Sequence, residues 1–178
     1  MKKIHTSLSV VIRILLWLLM LAGGAGLGIY LDFHNPLFGS YIFHLATGLA
    51  GVVVTVLAFR SAANGGRELK KGRVGNIPRL ETNRLVTTGI YSCMRHPMLF
   101  GLTLLPLGVA LLLGSPTFIT VIAPLEMVFI VFMVSVFEEM EVKRKYTAEY
   151  EKYKKSTPMV SFSPKCLKEL FGAHKNNA

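Results

Sequence analysis

Apolar residues fall into four long runs, at 8–30, 41–59, 98–113 and 117–137, and the polar stretches between them differ sharply in character. The first two runs are long enough to cross a bilayer as helices. The second is rich in valine, which would suit a strand in water, but its length favours a transmembrane helix. The third has sixteen residues, so it would rise about 24 Å, slightly short of a full span. Pro106 inside it is expected to produce a kink. The fourth run contains Pro124 and Glu126, and an acid within a span is expected to face protein or a cavity. Gly114-Ser115-Pro116 predicts a tight antiparallel hairpin between the third and fourth runs. Asn35-Pro36 marks a turn between the first two.

Within the first run, Gly24-x-x-x-Gly28 has the spacing that lets helix backbones approach closely. A loosely packed exit from the span is the competing reading. His34 and His44 are expected to be interfacial or packing residues. Residues 60–97 read as a basic loop in which Gly65-Gly66, Gly72, Gly75 and Pro78 break any long helix. Residues 138–155 read as a charged helix continuing from the fourth run, with Tyr146, Tyr150 and Tyr153 on one face. Pro158 ends it. The fold expected is an all-α integral membrane protein with four transmembrane helices and a C-terminal cytoplasmic amphipathic helix. Its parts are a two-helix membrane segment at 1–60, a basic cytoplasmic loop and motif entrance at 61–97, a membrane hairpin with a cofactor-binding helix at 98–158, and a basic tail at 159–178 that is partly disordered at its end.

Composition supports a multi-pass membrane protein. Of the 178 residues, 52% are hydrophobic and 17% charged, and the formal net charge is +10. Mean hydropathy is +0.48. The twenty Lys and Arg residues lie before or near the first run's start, within 60–97, or after the fourth run. Neither connection at the other end contains one. This is the positive-inside pattern, with both termini cytoplasmic at the cell inner or plasma membrane. The same charges suit anionic membrane lipids. They track membrane-adjacent segments rather than forming a patch on a water-soluble fold, which argues against nucleic acid. The N-terminal run is longer than a signal core and reads as a retained anchor. Cys93 and Cys166 imply no disulfide framework and have no metal-type spacing, so no metal is expected.

Two polar clusters carry the candidate chemistry. Thr88–Gly101, TGIYSCMRHPMLFG, places Arg95 and His96 just before Pro97, where an apolar helix can start. Glu138 and Glu139 end the fourth run, and the hairpin carries them back toward Arg95. An Arg–Glu clamp that merely orients the chain is one reading of this pair. A lipid- or partner-binding membrane protein and a small transporter using Glu126 are others.

The stretch from Thr87 to Pro158 resembles the membrane methyltransferases that include isoprenylcysteine carboxyl methyltransferase and the phospholipid N-methyltransferases. The resemblance rests on Gly89-Ile90-Tyr91, Arg95-His96-Pro97-Met98-Leu99-Phe100-Gly101, the Glu138-Glu139 pair and Tyr150-x-x-Tyr153, in that order around an apolar hairpin. It implies S-adenosylmethionine bound at the cytoplasmic ends of helices. Arg95, His96 and Glu139 would be the catalytic set. Tyr91, Pro97, Met98, Leu99, Gly101 and Glu138 would complete the cofactor-binding set. Leu99 stands where the family commonly has Tyr, so a hydroxyl is missing. The acceptor implied is a small apolar or lipid-like molecule, either an isoprenylcysteine-type carboxylate or a phospholipid amine. A carboxylate is ionised near neutral pH, whereas an amine must lose a proton before attack.

Overall fold

Every apolar run folds as helix, and the computed structural model is all-α. It describes residues 2–75 and 82–172, with side chains from Ile12 onward except Arg13. Pro78, Arg79, Glu81, the side chains of Lys2 and Lys3 and the end of the basic tail lie outside that description.

The elements are α1 (Lys2–Asp32), α2 (Tyr41–Lys70), the single turn α3 (Ile90–Cys93), α4 (Pro97–Leu113), α5 (Ala123–Met133), α6 (Glu139–Ser156) and α7 (Pro164–Phe171). Wider π-helical turns at Phe118–Ile122 and Val134–Glu138 lead into α5 and α6. Exposed apolar side chains stud the long helices, including Leu19, Ile42, Leu49 and Val128. In water this surface would be a liability; against lipid it is the expected exterior.

Two expectations need correction. Among the described residues, three helical stretches are long and apolar enough to span a membrane, not four: Ile14–Asp32, Tyr41–Lys70 and Phe118–Ser156. The fourth apolar helix, α4, has 17 residues. It runs through Pro106 and rises about 26 Å, short of the hydrocarbon thickness. Nor is the helix expected to be amphipathic, α6, clearly so. Charged residues surround α6, and its backbone breaks at Thr147 (φ 39°, ψ −106°), so no continuous apolar face runs along it.

The chain forms two compact units. The first comprises residues 1–53 and 106–128. Here α1 packs on the start of the 118–133 helical stretch. A Cβ at Gly24 would overlap the Glu126 carboxylate, and one at Gly28 would meet Phe118 and Ser115. The Gly24-x-x-x-Gly28 spacing is therefore a packing surface rather than a loose exit. Glu126 is buried against it, as expected of an intramembrane acid. At one end of this unit, Asp32 is fully buried. Its carboxylate accepts from Ser115 Oγ at 2.5 Å, Thr117 Oγ1 at 2.5 Å and the Thr117 amide at 3.0 Å. That latch ties the α1–α2 connection to the turn after α4. His44 packs beneath Gly114 and donates to the Phe38 carbonyl at 2.5 Å.

The second unit comprises residues 54–105 and 129–178. Its part of α2 lies close to the start of α4. Ser61 Oγ donates to the Pro97 carbonyl at 2.7 Å, and Gly101 leaves room for the Ala58 carbonyl. Gly65 likewise lies against Met98 and Pro97. These contacts explain why Gly65-Gly66, expected to end the helix, lie inside α2: close packing offsets the roughly 1 kcal/mol that glycine costs a helix. Residues 60–70 of the expected loop are thus helical. Val86, Ile90, Tyr91, Met94, Cys166 and Leu170 form a core that joins α3 to α7. Cys93, packed against this core, is paired with Cys166 as a disulfide, a bridge that two cysteines alone did not imply.

Candidate functional site

Arg95 lies in the bend between α3 and α4 and is placed by backbone bonds to a distant segment. Its amide donates to the Pro158 carbonyl at 2.9 Å, and the His96 amide donates to Met159 O at 3.2 Å. The Arg95 side chain reaches the same returning segment, with Nη1 donating to Thr157 O at 2.7 Å and Lys154 O at 3.1 Å. These carbonyls are free to accept because α6 ends at Ser156 and Thr157 is extended.

From this position Arg95 Nη2 donates to Glu139 Oε1 at 2.5 Å. The π-helical turn at Val134–Glu138 immediately precedes Glu139. An i→i+5 turn changes the angular phase of the residues after it, and such turns recur at functional sites. Lys154 Nζ lies 2.5 Å from Glu139 Oε2. In a straight helix, residues 139 and 154 would stand about 22 Å apart. The break at Thr147 folds the chain back, and Lys143 and Glu151 pair across it at 2.7 Å.

His96 lies beside the same carboxylates with its side chain 10% exposed. Its Nε2 lies 3.6 Å from Glu139 Oε1 and its Nδ1 lies 3.8 Å from Glu138 Oε2. Both distances exceed a hydrogen bond. Burial pushes the imidazole below its ordinary value, against the attraction of Glu139, and Arg95 pushes it the same way. His96 is therefore neutral at pH 7. Burial also raises the Tyr91 phenol, with Tyr153, Glu138 and Glu68 adding to the effect.

Three buried polar atoms around this carboxylate have no hydrogen-bond partner among the described residues: Arg95 Nε, His96 Nε2 and the Tyr150 hydroxyl. Leaving such groups unpaired costs about 1–3 kcal/mol each. A carboxylate ringed by unsatisfied donors and one neutral imidazole suits a ligand that carries both an ammonium and a carboxylate.

The structure thus brings Arg95, His96, Glu138 and Glu139 together. The other residues singled out from sequence sit elsewhere. Tyr91 is in the core of the second unit, and its carbonyl accepts from Tyr153 Oη at 2.5 Å. Pro97, Met98 and Gly101 pack against α2, and Leu99 is buried in α4. Gly89 of the Gly-Ile-Tyr element has φ 54° and leaves no room for a Cβ beside Glu68. Tyr146 does not share a face with Tyr150 and Tyr153, because Thr147 intervenes; its hydroxyl instead bonds Thr82 Oγ1 at 2.8 Å and Thr82 O at 2.9 Å.

Lys154 was not visible from sequence, since nothing in Lys145-Tyr146-Thr147-Ala148 signals a reversal. A separate open cleft of about 360 Å³ is lined by Leu85, Thr87, Glu149, Lys152, Tyr153 and Ser156. It includes none of Arg95, His96 or Glu139. Among the described residues, no cluster of metal-ligating side chains forms.

The profile of the family described as phospholipid methyltransferase matches residues 44–149, more than half of the 178-residue chain. The match takes in Arg95, His96, Glu138 and Glu139, and stops before Tyr150, Tyr153 and Lys154. No curated protein and no solved structure matches the chain.

Proposed function

The chain belongs to the phospholipid methyltransferase family, and on that premise we propose that Arg95, His96, Glu139 and Tyr150 hold the polar end of its cofactor while a lipid-like acceptor meets it at the membrane face. The protein is a multi-pass membrane methyltransferase that uses S-adenosylmethionine. The observation that supports this site is the Glu139 carboxylate with unpartnered Arg95 Nε, His96 Nε2 and Tyr150 Oη around it.

When bound, S-adenosylmethionine supplies a methyl group already activated by a positively charged sulfur. The protein's own residues bind, orient and exclude water. Glu139 offers its carboxylate to a cationic group. Arg95 Nε and the Tyr150 hydroxyl offer hydrogen bonds to an anionic one. Glu138 stands beside His96 and adds negative potential. In this reading Tyr91, Pro97, Met98, Leu99 and Gly101 set the helix starts and packing that position these groups.

The acceptor is a lipid or prenylated molecule whose apolar tail stays among the spans. Two nucleophiles suit such a molecule. An isoprenylcysteine-type carboxylate needs no base. A phospholipid amine must release a proton, and neutral His96, with Nε2 unpartnered, is placed to accept one. That observation favours the amine as the second reading. We place the basic ends of α1 and α2, and with them α6, on the cytoplasmic side.

The test uses purified protein in nanodiscs. Isotope-labelled S-adenosylmethionine should bind, and incubation with a native membrane extract should label a lipid whose structure names the nucleophile. Absence of cofactor binding by folded protein, with extract present, would sink the assignment of these residues.

A further inference from the structure

The geometry points to Lys154 as a placeholder cation, whose ammonium occupies Glu139 until the ammonium of a bound ligand takes its place. The inference rests on the reading of Glu139 as part of the cofactor site and concerns how that site is kept closed.

Both oxygens of Glu139 are engaged, Oε1 by Arg95 and Oε2 by Lys154. Each oxygen keeps a second lone pair, but a ligand ammonium added beside both cations would crowd a third positive charge onto one carboxylate, so pairing with Glu139 favours displacing one of the two. They are unequally held. The Arg95 side chain is 8% exposed and is fastened by Thr157 O and Lys154 O as well as by Glu139. The Lys154 side chain is 46% exposed. Among the described residues, the bond of its ammonium is to Glu139. A lysine stem has four rotatable carbons and a strongly hydrated head, so it can leave for water at little cost.

Exchange of one ammonium for another leaves the charge around Glu139 unchanged. Arg95 stays in place, and its unpartnered Nε remains available to the ligand's carboxylate. Lys154 reaches Glu139 only because the chain folds back at Thr147, a threonine held at positive φ. Such a backbone state is costly for a β-branched residue and recurs at switches and ligand clamps. The lysine and the strained residue lie on the same folded-back segment, and releasing the first loosens the hold on the second.

The test compares two nucleosides on the full chain in nanodiscs. S-adenosylhomocysteine carries the ammonium and carboxylate; 5′-methylthioadenosine lacks both. Lys154→Met should bind S-adenosylhomocysteine about tenfold more tightly, as expected for removing a partly buried charged competitor. Its affinity for 5′-methylthioadenosine should not change, and Lys154→Arg should resemble the parent. In the unmodified protein, S-adenosylhomocysteine should speed acetylation of Lys154 by an amine-reactive ester, read by mass spectrometry. The footprint needs no variant, so a misfolded Lys154→Met leaves the proposal testable. Weaker or equal binding by that variant, or acetylation of Lys154 that ligand slows or leaves alone, overturns the placeholder and marks Lys154 as a staple of the fold-back. If the protein binds neither nucleoside, the cofactor reading of Glu139 falls first, and the placeholder with it.

Discussion

Asp32 and Glu139 are both buried carboxylates, and they have opposite surroundings. Asp32 accepts from two hydroxyls and an amide that are all neutral, and each of those donors has its lone-pair partner. Glu139 is held by two cations and lies among polar atoms that have no hydrogen-bond partner among the described residues. One is a latch whose hydrogen bonds are complete within the protein. The other is incomplete. In the proposed reading, the unsatisfied groups beside Glu139 set it apart from Asp32, since burial and charge are common to both.

The largest expected separation is in ligand binding. Glu139→Ala should weaken S-adenosylmethionine binding about 100-fold, the loss of a charge-assisted contact, whereas Asp32→Ala should leave it unchanged; equilibrium binding on both variants measures this. The next is in stability. Asp32→Ala strands three donors and should cost about 2–3 kcal/mol, read as a lower unfolding temperature in detergent. A binding defect at Asp32 without loss of stability would erase the contrast.

The third is in pH. His96 has a folded value below its ordinary 6.5, so the unfolded chain takes up the proton more readily. Its contribution to stability is therefore fully present above pH 6.5 and declines as pH falls below that value. Unfolding temperature and cofactor affinity should both drop in that acid range, and His96→Gln should flatten the drop. The smallest is Tyr150→Phe, which removes one unpartnered hydroxyl and should weaken binding by about three- to tenfold without lowering the unfolding temperature. A measured loss of stability there would mean that the hydroxyl has a structural partner.

Much of this contrast was open to a reader of the chain. Apolar run length marked the long helices, because bilayer thickness demands it. The hairpin argument brought Arg95-His96 to Glu138-Glu139, because an apolar return of that length leaves few alternatives. Glu126 was expected to face protein, and it lies against Gly24. What escaped lacks a local signal. Gly65-Gly66 look like a break unless the packing against Met98 is known. Cys93 and Cys166 are 73 residues apart, and spacing says nothing about such a pair. The fold-back at Thr147 uses neither Gly nor Pro, so Lys154 and the displacement of Tyr146 from the tyrosine face were hidden. The count of spans fell from four to three because α4, at 17 residues, is short of the hydrocarbon thickness.

The backbone bonds from Arg95 and His96 to Pro158 and Met159 have a consequence for how the site tolerates change. A carbonyl offers the same acceptor whatever side chain its residue bears, so this stretch is read by length and not by spelling. Substitution at Met159 keeps the His96 bond available, whereas deleting one residue between Tyr153 and Pro158 shifts every carbonyl out of step with Arg95. At Met159 the backbone carbonyl, not the side chain, carries the bond to His96, so register matters more there than residue type. The segment therefore contributes to the site without leaving a motif.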